Sequence, residues 1–256
     1  MHPSLPLREY ILALVGSAAL GVLMLRLLAA GLARRYPYFF CYLSVDLLQT
    51  AGPFFVSSPN AYFYFFVATE SLLVCFYALI VFELYSVVLR DLKGIATIAR
   101  WFTVAALGIS IVVPLLLRTA LPRPRYPIER FFFFEIPIVS SLLLFMVLLT
   151  LFLVYYPIPL HRNALVYAAG YAVYFLSKAT LLFLNNAGSS TWIRACSTAA
   201  SIVATCSIVF WTVFLNREGE RRTIIAGHRW STAGVQVRVL KRLHELNESL
   251  LRARAR

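Results

Sequence analysis

A lysine inside an apolar run is the first residue in this sequence that could do chemistry. In RNALVYAAGYAVYFLSKATLLFLN, residues 162–185, Lys178 shares a face with Tyr167, Tyr171, Tyr174 and Asn185, all within a wedge of about 60° at about 100° per residue. The run is long and apolar enough to cross a bilayer. A cation held about 10 Å inside it costs several kcal/mol unless it meets protein, water or a counter-charge, so this face must point into a helix bundle. Asp46, Glu70 and Glu135 are the acids that could answer it, since each lies roughly 8 to 15 Å along its own helix from the same side as Lys178. Three acids and one base suit a cationic or zwitterionic small molecule, an ion or a proton relay, with Gln49, Tyr171, Tyr174 and Asn185 as polar lining. The plainer alternative is that Lys178 pairs with one acid to fix helix packing while the other acids snorkel outward. Asp46 is the expected partner, because it and Lys178 both sit seven residues from the ends of their helices, and Glu70 is the next candidate.

Other chemistries are excluded by what is missing. His2, His161, His228 and His244 are the only histidines and none is mid-span, which leaves no haem pair and no three-histidine zinc site. There is no GxSxG, no HExxH and no phosphate-cradling glycine loop. Cys41, Cys75, Cys196 and Cys206 fall inside apolar runs without a CxxC pair and read as packing residues. The expectation is a non-enzymatic protein without metal or cofactor.

The elements that must position these residues follow from composition. Of 256 residues 61% are hydrophobic and 14% charged, with a mean hydropathy of +0.77. Soluble domains carry about 25% charged residues, so this is a polytopic membrane protein. Seven apolar runs, near residues 10–33, 36–56, 61–89, 98–117, 131–155, 162–185 and 192–215, predict an all-α, seven-transmembrane-helix bundle over residues 1–216 and a basic tail over 217–256. No basic cluster precedes the first run, whereas Arg34 and Arg35 follow it, the reverse of a cleavable signal, so the first span should be retained as a lipid-facing anchor. The second run places Tyr42, Asp46, Gln49 and Pro53 on one face. The third carries Glu70 and Glu83 on faces about 140° apart, too far for one ligand to touch both. Pro114 predicts a kink, and small residues in the seventh run permit close helix approach.

Net charge of +13 concentrates beside the spans, which favours anionic lipid over nucleic acid. Arg34, Arg35, Arg90, Lys93, Arg162 and ten basic residues of the tail predict a cytoplasmic C-terminus and an external N-terminus, against the vote of Arg118, Arg123, Arg125 and Arg130. In the tail Val235, Val239, Leu243, Leu246 and Leu250 recur at helical spacing, with Arg and Lys on the other faces. That basic amphipathic helix would rest on anionic headgroups through Arg221, Arg222, Arg238, Lys241 and Arg242, or pair with a protein partner, unless it is a solvated tail whose charges only enforce topology.

Two layouts bear comparison. A lysine in a tyrosine wall suggests a retinal Schiff base, but rhodopsins carry theirs on the seventh helix and Lys178 is on the sixth. Three spans, a lone fourth and three more, with Asp46 and Lys178 at similar heights, resemble the three-one-three parallel repeat of sugar-facilitating carriers. The PQ dipeptide of one branch of those carriers is absent.

Overall fold

The computed structural model describes residues 7–56, 58–89, 92–117, 127–155, 159–187, 190–225 and 233–255. Eight α-helices occur among them: α1 (Leu7–Ala29), α2 (Pro37–Phe55), α3 (Pro59–Val88), α4 (Lys93–Leu117), α5 (Pro127–Tyr155), α6 (Arg162–Ala187), α7 (Ser190–Phe214) and α8 (Ala233–Ala255). Pro37 and Pro59 open α2 and α3, where the missing N–H costs no helical bond and the fixed φ favours the first turn. Gly31, at φ 70°, ends α1 in a left-handed turn that a side chain would strain, and a short 3-10 turn at Leu32–Arg34 leads into α2. Helices α4 and α5 begin five and four residues earlier than the apolar runs suggest. Their first turns are polar in sequence, with Lys93 in one and Glu129 and Arg130 in the other.

Among the described residues four helices are long and apolar enough to cross a membrane: Asn60–Val88, Lys93–Val112, Glu135–Leu153 and Arg162–Leu181. Shorter apolar stretches cover Leu14–Ala29 and Ser201–Phe214. The outward faces are greasy, with Leu25, Trp101, Phe102 and Leu116 each mostly exposed. So large an apolar surface fits a membrane-embedded protein.

Helix α1 packs on α2 and α7, α2 on α3, α3 on α5, α5 on α6 and α6 on α7, which closes a ring of six; α3 also meets α6 across it. Helix α4 lies outside, against α5, α3 and α8. The expected lipid-facing α1 is buried along one side: Leu20, Leu23 and Leu27 are buried between its neighbours, whereas Ile11, Leu14, Val15, Val22, Leu25 and Leu28 are exposed. The buried leucines recur at three- and four-residue steps, a spacing obscured in a run that is apolar on every side.

Inside the ring the core is aromatic: Phe39, Tyr42, Tyr77, Tyr167, Tyr171, Phe175 and Trp211 are at most 2% exposed. Gly170 allows α7 to come close, because a Cβ there would strike the Trp211 indole. At one end of the bundle the chain after α7 folds back. Residues Thr223–Ile225 form β2, antiparallel to β1 (Pro159–His161), with His161 opposite Thr223. At this tail end α8 docks on the start of α4, where the Gly94 N–H donates to Asn247 Oδ1 at 2.8 Å. Leu243 and Asn247 are buried there, while Arg238, Lys241 and Arg242 are exposed.

Candidate functional site

Helix α6 presents Asn163, Tyr167, Tyr171, Tyr174 and Lys178 to the ring interior at steps of four, four, three and four. Fifteen residues separate the first from the last, about 22 Å of helix. Two polar clusters sit at the ends of this stripe and an aromatic column joins them.

At the end remote from the tail, Lys178 Nζ donates to Glu70 Oε1 at 2.5 Å and to Tyr77 Oη at 2.9 Å, and lies 2.8 Å from Glu135 Oε1. Three oxygens from α3 and α5 thus surround the ammonium, two of them as hydrogen-bond acceptors. Tyr77 Oη is 2.9 Å from Tyr174 Oη. Gln49 on α2 donates to the other Glu70 oxygen at 2.8 Å. Glu135 is 2% exposed, and its Oε2 has no hydrogen-bond partner among the described residues. Its Oε1 touches Lys178 off the hydrogen-bonding direction, so the contact is an ion pair rather than an aligned bond.

The ion pair expected with Asp46 is made with Glu70 and Glu135 instead. Asp46 is within electrostatic reach of Glu70 and Lys178 but forms no salt bridge among the described residues. The reason is the order of the ring. Helix α3 contacts α6 directly and α5 flanks both, so their acids reach Lys178 first. Gln49, Glu70, Glu135, Tyr174 and Lys178 are brought together as the spacing predicts. Tyr171 lies further along the column, and the side chain of Asn185 falls outside the described residues. Tyr77 was not foreseen, although it sits seven residues after Glu70 and hence on the same face of α3.

Glu83, at the opposite end of α3, has a role of its own. Its carboxylate accepts the backbone N–H of Tyr38 at 3.2 Å and of Phe39 at 3.3 Å, and the Tyr167 hydroxyl at 3.0 Å. Tyr38 and Phe39 are the second and third residues of α2, whose first amides lack intrahelical acceptors, and Tyr36 at the cap position offers no side-chain bond. An acid from another helix therefore caps α2, and the positive end of the helix dipole favours its charge. Next to it, Tyr36 donates to Glu220 Oε1 at 2.6 Å, and Asn163 donates to the same oxygen at 3.2 Å and to the Asn216 carbonyl at 2.7 Å. Arg35 Nε stands 3.7 Å from Glu220 Oε2. Burial, reinforced by the Glu220 carboxylate, pushes the Tyr36 phenol well above its ordinary range, so it acts as a donor. Gly219 is required here, since a Cβ would collide with the Asn163 amide.

Of the surface residues expected to meet lipid, Arg221 and Arg222 are exposed, with Arg222 paired to Glu218 at 2.5 Å one turn away. Among the described residues no group of three or more His, Cys, Asp or Glu could hold a metal ion. Comparison with protein-family models, curated proteins and solved structures returns no match to this chain.

Proposed function

We propose that the chain is a non-enzymatic seven-helix membrane protein, N-terminus outside and tail cytoplasmic, that holds a proton or a small cation among Glu70, Glu135, Asp46 and Lys178. It acts as a sensor or accessory subunit, and its basic tail carries site occupancy to a partner or to anionic lipid.

The observation that carries this reading is the charge imbalance. Three acids gather around one ammonium, so the fully ionised cluster holds two more negative charges than positive ones in an apolar surrounding. Isolated charge in such a medium is strongly unfavourable, and the cluster must take up protons or a cation to balance. The half-satisfied Glu135 is the natural acceptor, because only one of its oxygens touches Lys178. The far half of the bundle is external under the basic-residue distribution of the links and tail.

Infrared difference spectroscopy of the purified protein tests this. A carbonyl band of a protonated carboxyl that disappears in Glu135→Gln, or shifts with added sodium or potassium, supports the site. Absence of any protonated-carboxyl band and of any cation effect refutes it.

A second reading, a carrier or channel, is favoured by the packing order. Exchanging α1, α2 and α3 for α5, α6 and α7 maps the ring contacts onto themselves, as a parallel repeat requires. Flux of a solute panel in proteoliposomes separates the two: a sensor moves no organic solute, whereas a carrier does so even without residues 232–256.

A further inference from the structure

We propose that Glu70 and Glu135 share one proton, held as a carboxyl–carboxylate hydrogen bond between α3 and α5 beside the Lys178 ammonium. This rests on the far cluster being an ion-binding site, and it narrows the occupant from a proton or small cation to a proton. The unequal supply of donors to the two acids carries it. Glu70 is well served: Lys178 Nζ donates to Oε1 at 2.5 Å and Gln49 Nε2 to Oε2 at 2.8 Å. Glu135, its side chain 1% exposed, receives a hydrogen bond at neither oxygen among the described residues, although Oε1 lies 2.8 Å from the same ammonium. Buried polar atoms are seldom left without a partner, so Glu135 lacks something that its neighbours do not supply.

What it lacks is a hydrogen. The two carboxyl groups meet on one nitrogen and stand within hydrogen-bonding reach of each other. As carboxylates both only accept, and they face each other with no hydrogen between them. One proton on Glu135 makes it a donor, and Glu70 has lone pairs left to accept it. Charge gives the same answer. One ammonium balances one carboxylate, and two carboxylates this close in an apolar surrounding do not both stay ionised. With Glu70 ionised and Glu135 neutral, the trio with Lys178 carries no net charge. The acid left over is Asp46, which is half-buried where both glutamates are buried.

A metal cation does not suit this place. Nζ already touches both acids, so sodium or potassium on the same oxygens would stand against an ammonium, and the other Glu70 oxygen is met by the Gln49 N–H. A proton needs two oxygens and no further room. Its uptake forms one O–H bond at Glu135, with the proton given up by hydronium of the bathing solution. Release breaks that bond and leaves the charge on the Glu135 carboxylate. Either event falls where α3 packs on α5, the junction at which the first three helices of the ring meet the last three.

The test is the infrared spectrum of the full chain in liposomes at neutral pH, in sodium, potassium and choline buffers. The expected result is a protonated-carboxyl band that moves in deuterium oxide, is lowered when glutamate side-chain carboxyls carry heavy carbon, and ignores sodium and potassium. Glu135→Gln and Glu70→Gln should each abolish it, since either variant leaves one carboxylate for one ammonium and no second acid to share a proton. A band retained in Glu70→Gln, in a protein that still unfolds cooperatively, overturns the sharing, and a band retained in Glu135→Gln puts the proton elsewhere. The isotope arm needs no substitution. A band that ignores the label does not lie on a glutamate and overturns the proposal even where neither variant folds. Displacement of the band by sodium or potassium overturns it too, but leaves the far cluster standing as a cation site. No carboxyl band together with no cation effect removes the far site itself.

Discussion

Replacing Lys178 by Met removes the only positive charge of the far cluster and keeps roughly the volume of its stem. Glu70 then retains Gln49 but loses its ammonium, Glu135 loses its ion-pair partner, and Asp46 remains close by. Breaking a buried pair from one side costs about 3 to 5 kcal/mol, because the remaining charge is orphaned. Two acids are orphaned here, so the loss should fall at the upper end. Glu135→Gln should cost much less, since Lys178 still has Glu70 and Tyr77 and the substitution removes surplus negative charge. In the double variant Lys178→Met with Glu135→Gln, one of the two orphans is gone and part of the loss returns. Thermal unfolding of the detergent-solubilised protein, compared across the four-member cycle, measures this as an interaction energy. Strictly additive losses would show that Lys178 and Glu135 do not interact, and a Lys178→Met protein as stable as the wild type would refute the cluster altogether.

At the other end, Glu83→Gln leaves three donors to share one amide oxygen and should cost about 1.5 to 3 kcal/mol, more than Tyr167→Phe, by the same unfolding assay. Gly170→Ala drives a methyl group into the Trp211 indole and should destabilise by about 1 to 3 kcal/mol, whereas Gly108→Ala, with open space around it, should not; equal effects would argue against the close approach of α6 and α7. Gly94→Ala brings a Cβ within 2.7 Å of the Asn247 carbonyl and should lift α8 from α4, read as faster tryptic cleavage at the exposed Arg238, Lys241 and Arg242. An unchanged cleavage rate would mean that the tail helix is not held at this point.

The heights of the charged residues were legible because rise per residue is fixed. Counting from the links at that end places Glu70, Glu135 and Lys178 at one level, and they do meet there. Which acid wins was not legible, since it depends on the neighbours of α6, and a single sequence does not state the order of helices around a ring. Asp46 looked best by depth and stripe, yet its helix turns Gln49 toward Glu70 and leaves Asp46 without a salt bridge among the described residues. Glu83 shows the same limit differently. Its position at the end of α3 was plain, but its partners are backbone amides of α2, and main-chain donors leave no mark in a residue pattern.

Taken together, the two acids of α3 explain why they lie about 140° apart on one helix. Glu70 and Glu83 were never able to touch one ligand, and the separation reads as a defect only if one site is assumed. Each acid instead ends at a different level of the α6 stripe, Glu70 at Lys178 and Glu83 at Tyr167. Helix α3 crosses the ring against α6, so the twist between its acids is matched by the tyrosines of α6 that lie between them. Rotating α3 to improve one contact would break the other, and this double tether fixes its register.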